Sequence, residues 1–520
     1  MKSSIVKSTF TNYCLMLIRL VEGVLISRWI IAYLGLDSYG LWTLLWSFFG
    51  YSRLLDFGMG VTALKYTAVQ LFQTDIKRYN GAISTIFSFY SLMAVVVIVV
   101  TYIASFFVVE ILKLDNASVE RIAYCRTCFL VFGIGAALVF PTGIFPELLV
   151  GLQKIYLRNY INGISKIVEL VGVLLIFQYG GELLSLIVFI LAITISTNFI
   201  MLVIAGRLIP GFKLRLRISS EQFKEIFKFS GFVYLCAVFR IIGVRSGTLL
   251  ISIFSGLESV GIFQMGQRLP MIMFEGSDAY HENIGPLSAN LHATGKLKLL
   301  AMVLINSIRW NSFLTTGFTL GMFWFAPQMI RFLFNVDSAM AAYVCRITLG
   351  TVFTTIVFRS VIERFMLMTN RHAFLSYIIV AESTITLVLY LLLLPKFGFV
   401  GVAWTAFGVK VFMTITVVLP FFLNYLKTSW FEFFIKVLFK PIIAVIPTFI
   451  FFYFVERYYG EKWSDFALLA TCGIVGGSCY IIASYFIILI PSERVMIKQQ
   501  ISQRFKSLVH YWRERRNQSN

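Results

Sequence analysis

Gly35–Lys65 reads GLDSYGLWTLLWSFFGYSRLLDFGMGVTALK, a tight polar turn followed by an apolar run into which Arg53 and Asp56 are set. About 220 residues later, Gly256-Leu257-Glu258-Ser259-Val260-Gly261-Ile262-Phe263 repeats Gly35-Leu36-Asp37-Ser38-Tyr39-Gly40-Leu41-Trp42 almost residue type for residue type. One such match carries little, because turns favour Gly, Asp and Ser anyway. A second match at nearly the same offset carries more: Phe177-Gln178-Tyr179-Gly180 is answered by Pro395-Lys396-Phe397-Gly398. The shared offset predicts a six-helix unit duplicated in the same orientation, and parallel repeats of this kind place a substrate site at their interface.

The rest of the chain fits such a unit. Its 520 residues are 58% hydrophobic and 13% charged, with mean hydropathy +0.83, whereas a soluble domain is about 45–50% apolar and about 25% charged. Apolar runs of transmembrane-helix length recur from end to end, which predicts an all-α polytopic membrane protein. Read in order, they fall at 11–34, 40–64, 82–112, 121–151, 156–178, 183–206, 228–253, 259–284, 299–334, 340–368, 372–394, 399–424, 437–456 and 465–490, about fourteen spans. The predicted organisation is an N-lobe at 1–206, a basic linker at 207–228, a C-lobe at 229–426, two further helices at 427–490 and a basic tail at 491–520.

Charge is sorted between alternate loops as the positive-inside rule requires. One set carries Lys2, Lys7, Lys77, Arg78, Lys154, Arg158, the 207–228 connection, Lys296, Lys298, Arg371, Lys427, Lys436 and the arginine-rich tail. The opposite set carries Asp37, Asp115, Glu120, Glu182, Glu258, Asp337, Glu461 and Asp465. Both termini are therefore expected to be cytoplasmic. The net charge of +20 is read as membrane topology, with no nucleic-acid partner. The linker, alternating as Lys213-Leu214-Arg215-Leu216-Arg217, is expected to lie on the anionic inner leaflet. The N-terminal run is expected to be a retained first helix. Cys125 and Cys128 have CxxC spacing without a second pair or histidine cluster, and read as packing residues.

Charges inside apolar spans point to a protein interior or a wet cavity, since an arginine at the bilayer centre costs about 2.5–3.5 kcal/mol. Arg19, Arg28, Arg53, Arg240, Arg245, Arg268, Arg309, Arg359 and Lys410 all lie in such spans. Arg19 with Glu22, Arg53 with Asp56 and Arg359 with Glu363 have the spacing of local ion pairs, and Lys410 reads as either a ligand or a partner of Glu382. Arg28, Arg240, Arg245 and Arg268 have no acid at that spacing, and a guanidinium grips phosphate bidentately. Substrate-binding candidates are thus Arg28, Arg53, Arg268, Arg240, Arg245 and Lys410. Coupling or ion-pair candidates are Asp56, Glu22, Glu275, Glu363 and Glu382. No metal ligand set and no cofactor is expected, although an intramembrane carboxylate leaves proton or sodium coupling open. Pro141, Pro146, Pro270 and Pro327 are candidate kinks.

Leu34-Gly35 through Tyr39-Gly40-Leu41-Trp42, Leu55-Asp56-Phe57-Gly58 and Lys65-Tyr66 resemble the opening of Wzx-type polysaccharide (O-antigen) flippases. Val260-Gly261-Ile262-Phe263 with Gln267-Arg268-Leu269 resembles the start of their eighth helix, and Gly398 to Ala403 that of the twelfth. The resemblance covers helices one to twelve and implies fourteen helices in two lobes. It also implies that an undecaprenyl-pyrophosphate-linked oligosaccharide is flipped across the bacterial inner membrane by alternating access. Lipid-linked oligosaccharide and membrane lipids are the implied partners, with a polysaccharide polymerase and a chain-length regulator beside them. In the related lipid II flippases, arginines of helices one, two and eight line the cavity, and Arg28, Arg53 and Arg268 are similar in helix and depth. The chain departs from the pattern at Gly243-Val244-Arg245-Ser246-Gly247, where many such flippases carry an acid.

Two other classes compete. A cation-extruding multidrug antiporter of the same fold would want an acidic cavity, whereas the unpaired intramembrane charges here are mostly basic. An enzyme, either a polysaccharide polymerase or a membrane acyltransferase, would want an external loop of some size. The outer loops are at most about ten residues and hold no His/Asp pair, while His281 and His292 read as interfacial.

Overall fold

The computed structural model describes residues 2–50, 55–57, 59–70, 75–114, 117–219, 223, 238–239, 241–243, 245–281, 291, 295–368, 371–460, 462–488 and 494. Among the described residues every regular element is helical. The chain forms α1 (Lys2–Leu34), α2 (Leu36–Phe49), α3 (Met59–Gln70), α4 (Ile76–Ala104), α5 (Val108–Leu112), α6 (Val119–Thr142), α7 (Ile144–Gly151), α8 (Ile155–Gln178) and α9 (Leu183–Leu208). Residues 245–255 are also helical. Then follow α10 (Leu257–His281), α11 (Leu297–Trp324), α12 (Ala326–Phe334), α13 (Ala339–Thr354), α14 (Ser360–Met368) and α15 (His372–Met413). The last helices are α16 (Leu419–Leu426), α17 (Trp430–Phe434), α18 (Lys440–Tyr459), α19 (Asp465–Thr471) and α20 (Gly477–Ile487).

Eight helical stretches among the described residues are long and apolar enough to cross a membrane. One of them, Ala373–Leu426, is 54 residues long, enough for two crossings at about 20 residues each. It breaks at Gly398, where φ is 61° and ψ is −158°, in the gap left between the expected spans 372–394 and 399–424. Helices α1, α10 and α11 also have spanning length, but Arg19, Glu22 and Arg28, Arg268 and Glu275, and Lys298 and Arg309 dilute their apolar character. The protein is an all-α, multi-pass membrane protein.

The echoed turns take the same backbone form. Gly35 and Gly256 have φ of 83° and 82°, and Gly180 and Gly398 have φ of 75° and 61°. The two halves of the first echo also meet. A Cβ added to Gly40 would lie 2.0 Å from the Leu257 carbonyl oxygen, and one added to Gly261 would lie 2.9 Å from that of Leu36. Leu36 with Gly40 and Leu257 with Gly261 therefore contact each other reciprocally, as a local two-fold would arrange them, and only glycine allows the backbones so close.

The single helix expected over 40–64 is interrupted. Helix α2 ends at Phe49, Leu55 and Asp56 lie in a short 3₁₀ turn, and α3 starts at Met59, after Phe57 has taken a positive φ of 48°. Asp56 explains the restart: its Oδ1 accepts a hydrogen bond from the Gly60 amide at 3.2 Å and another from the Tyr90 hydroxyl. The carboxylate thus satisfies a free amide of the first turn of α3, where the helix dipole favours negative charge. Asp56 is not buried in mid-helix, as the sequence suggested.

Contacts divide the chain into two compact units. The first comprises 1–272, 330–348 and 372–413. Within it α1 lies along α8, α4 along α6, and α6 along α9, and one core joins α3, α4, α7 and α9 through Met59, Ile83, Ile86, Phe145, Leu148 and Met201. The second comprises 273–329, 349–371 and 414–520. There α18 packs on α20 and α11, with Phe325 against Phe452 and Tyr480 donating to the Phe313 carbonyl at 2.7 Å. Helices of the second unit are interrupted by π-helical turns at Thr355–Arg359, Thr414–Val418, Ile435–Phe439 and Cys472–Gly476.

Candidate functional site: a charged, aromatic-walled cavity

The α1–α8 seam is polar at one end, where Asn159 Nδ2 donates to Thr11 Oγ1 at 3.0 Å, and polar again in the middle. Leu15, Ile26 and Ile30 of α1 are buried eleven and four residues apart, on one helix face, as are Gly163, Val173 and Phe177 of α8 at ten and four. Glu22 and Glu169 fall on the same buried faces. Lys166, one turn before Glu169, joins them: its Nζ donates to Glu22 Oε1 at 3.1 Å and to Glu169 Oε2 at 2.6 Å. Glu169 is only 2% exposed. It also accepts a hydrogen bond from Ser165 at 3.5 Å, and Ser165 accepts one from Thr197 of α9 at 2.8 Å. A lone carboxylate at that depth would be costly, and the shared ammonium supplies the compensation.

This triad opens into a cavity of about 270 Å³. Tyr39, Trp42 and Trp46 of α2 form one wall, and Gln264, Gln267 and Arg268 of α10 form another. The indoles of Trp42 and Trp46, one turn apart, meet edge to face at 5.7 Å. Gln264 is held by Thr248, its Nε2 donating at 2.8 Å. The Arg268 guanidinium lies over Gly23 of α1, where an added Cβ would sit 1.9 Å from Nη2. Its Nε is buried and, among the described residues, has no hydrogen-bond partner. The cavity thus presents a guanidinium with unused bonding capacity beside indole faces, amides and a carboxylate–ammonium–carboxylate cluster.

Of the residues proposed from sequence, Arg268 and Glu22 line this cavity, and the other described ones lie elsewhere. Glu22 pairs with Lys166, and Arg19, its expected neighbour, is exposed. Side chains three apart on one helix share a face only roughly, and here Glu22 turns inward. Arg28 donates to the Phe332 carbonyl at 3.2 Å. Arg245 donates to the Trp46 carbonyl at 2.7 Å and packs where a Cβ on Gly50 would otherwise be, so it caps the C-terminal carbonyls of α2. Lys410 forms a salt bridge with Glu382, and Arg359 with Glu363 at 2.8 Å, both at the expected partners. Glu275 is exposed. Arg53 and Arg240 lie outside the described residues. Sequence reasoning passed over Lys166, although its spacing of three from Glu169 signals a pair. It also missed Trp42, Trp46, Gln264 and Gln267, whose residue types equally suit plain packing.

The fold and this cavity define a class, that of multi-pass helical membrane proteins with a polar chamber inside the bundle. Among solved structures, the chain is similar to lipid II flippase MurJ in an inward closed conformation, with TM-score 0.73 and 15% identity over 92% of this chain and 98% of that one. It is similar to an inward-facing multidrug resistance MATE family transporter of the MOP superfamily, with TM-score 0.60 and 14% identity over 79% and 95%. It is also similar to a MOP superfamily transporter from Pyrococcus furiosus noted for a binding pocket of reverse polarity, with TM-score 0.58 and 13% identity over 82% and 97%. At these identities the shared property is the fold. No protein-family model and no curated protein matches the sequence.

Proposed function

We propose that the protein is a Wzx-type flippase, which moves an undecaprenyl-pyrophosphate-linked oligosaccharide from the cytoplasmic to the outer face of a bacterial inner membrane by alternating access. The observation that carries this reading is Arg268, a guanidinium in the cavity whose buried Nε has no partner among the described residues. A diphosphate crossing a low-dielectric core needs such a group, since an uncompensated charge there is prohibitive. The likeness in fold to a lipid II flippase supports it, as do the indoles and amides beside the arginine, which suit a sugar. Glu22 and Glu169, sharing one ammonium, are the proposed coupling pair, since loss or gain of one proton changes the charge of the cluster. Both termini are cytoplasmic in this proposal, and a polymerase and a chain-length regulator would act on the delivered substrate.

A second reading, a cation antiporter of the same fold, draws on the same two carboxylates, which would also suit an organic cation. Cells lacking their own flippase distinguish the two. Among charge-removing variants at Arg28, Arg53 and Arg268, all inserting normally, Arg268→Gln is expected to lose surface polysaccharide by about ten-fold or more, and Arg28→Gln, whose guanidinium serves the Phe332 carbonyl outside the cavity, to lose less. Glu22→Gln and Glu169→Gln are expected to remove the dependence of transport on a pH gradient. Full complementation by all three arginine variants, together with organic-cation efflux by the native chain, would favour the antiporter.

A further inference from the structure

The connection after α9 is stitched onto the first turns of α4. The Asn80 side chain clamps it on either side of Phe212: Nδ2 donates to the Gly211 carbonyl at 2.9 Å, and Oδ1 accepts from the Lys213 amide at 3.1 Å. Ser84 accepts from the Arg215 amide at 3.0 Å, and Thr85 from the Ser219 amide at 3.1 Å. Phe212 and Leu214 point inward onto the core, with Phe212 against Tyr79. The backbone of this strap is therefore fixed by α4, and its remaining side chains face away from the protein.

Those side chains are of two kinds. Lys213, Arg215 and Arg217 are exposed, and Leu216 and Ile218 between and beside them are 75% and 49% exposed. Lys77 and Arg207 add two more exposed cations at the same end of the helices. Among the described residues, no carboxylate pairs with these five cations. The nearby acid, Asp75, takes up the Arg78 amide at the start of α4 instead. Because α4 is one of the membrane-crossing stretches and starts at Ile76, the strap lies at the bilayer boundary. Apolar tips among unpaired cations, held at that depth, match an anionic lipid surface, with alkyl groups entering the acyl boundary and cations meeting headgroup phosphates.

We propose that residues 211–219 form a preorganised docking strap for anionic phospholipid headgroups. Its rigidity matters: the strap is already ordered by Asn80, Ser84 and Thr85, so binding a lipid orders little further chain.

The test uses the purified full chain in mixed micelles with equal amounts of phosphatidylglycerol and phosphatidylcholine, counting retained lipids by native mass spectrometry. The native chain is expected to retain phosphatidylglycerol preferentially. Lys213→Gln/Arg215→Gln/Arg217→Gln is expected to cut that preference at least two-fold with helicity by circular dichroism unchanged. Leu216→Ser/Ile218→Ser is expected to reduce total retained lipid without reversing the preference. Undiminished preference in the triple variant overturns the proposal. Displacement of the lipid by millimolar inorganic phosphate overturns it equally, since that marks a site for the free anion.

Discussion

Gly23 shows how a residue without a side chain sets the chemistry of the cavity. Its missing Cβ is the space the Arg268 guanidinium occupies. Gly23→Ala leaves every charge in place and pushes Nη2 aside, which separates position from charge. Transport is expected to fall about ten-fold, about 1.4 kcal/mol in the barrier, with little loss of stability because a flexible side-chain end can yield. A flipping assay on the purified variant checks this, and an unchanged rate would mean that the position of the guanidinium is immaterial. Lys166 teaches a complementary lesson. The arginines stood out in the sequence, yet the lysine three residues before Glu169 holds the two buried carboxylates together. That Glu22 would choose it over Arg19 was not legible, because the choice depends on which face of α1 meets α8.

At the scale of elements, the turns were the most legible part of the sequence. The matches at Gly35 and Gly256, and at Gly180 and Gly398, recur as positive-φ glycines in equivalent places. Gly35, with φ 83° and ψ 173°, occupies a region that only glycine enters freely. Gly35→Ala is expected to cost about 1–3 kcal/mol, as is Gly398→Ala, read as earlier unfolding in detergent. Gly408→Ala, which has open space and lies in a helix, is expected to be neutral or slightly stabilising. Equal stability of all three variants would remove the backbone argument. The break between α2 and α3 was not legible, since Arg53 and Asp56 read as an ion pair within one helix, whereas Asp56 caps a new one. Arg245 misled for a related reason: a cation without an acid at helical spacing looked like a ligand, but it serves the carbonyls that close α2.

On the scale of the whole molecule, hydropathy and loop charge foretold an all-α multi-pass protein, and the described residues of the expected spans are mostly helical, with the turn at Phe57 interrupting 40–64. Hydropathy does not mark the helices that line polar space: α1 and α10 are diluted by charge, whereas α8 and α9 remain among the apolar spanning stretches. What composition could not supply is which charges converge, because convergence joins α1, α2, α8 and α10, elements up to about 240 residues apart in sequence. The central claim is that Arg268 grips a lipid diphosphate during its passage across the membrane. The most direct test places the purified chain in vesicles with a fluorescent undecaprenyl-diphosphate-linked saccharide and follows its arrival at the outer face by access to an impermeant reagent. Native protein is expected to move the lipid, Arg268→Lys to move it about ten-fold more slowly, and Arg268→Gln to approach the protein-free rate while remaining folded. Native-rate movement by Arg268→Gln would contradict the account.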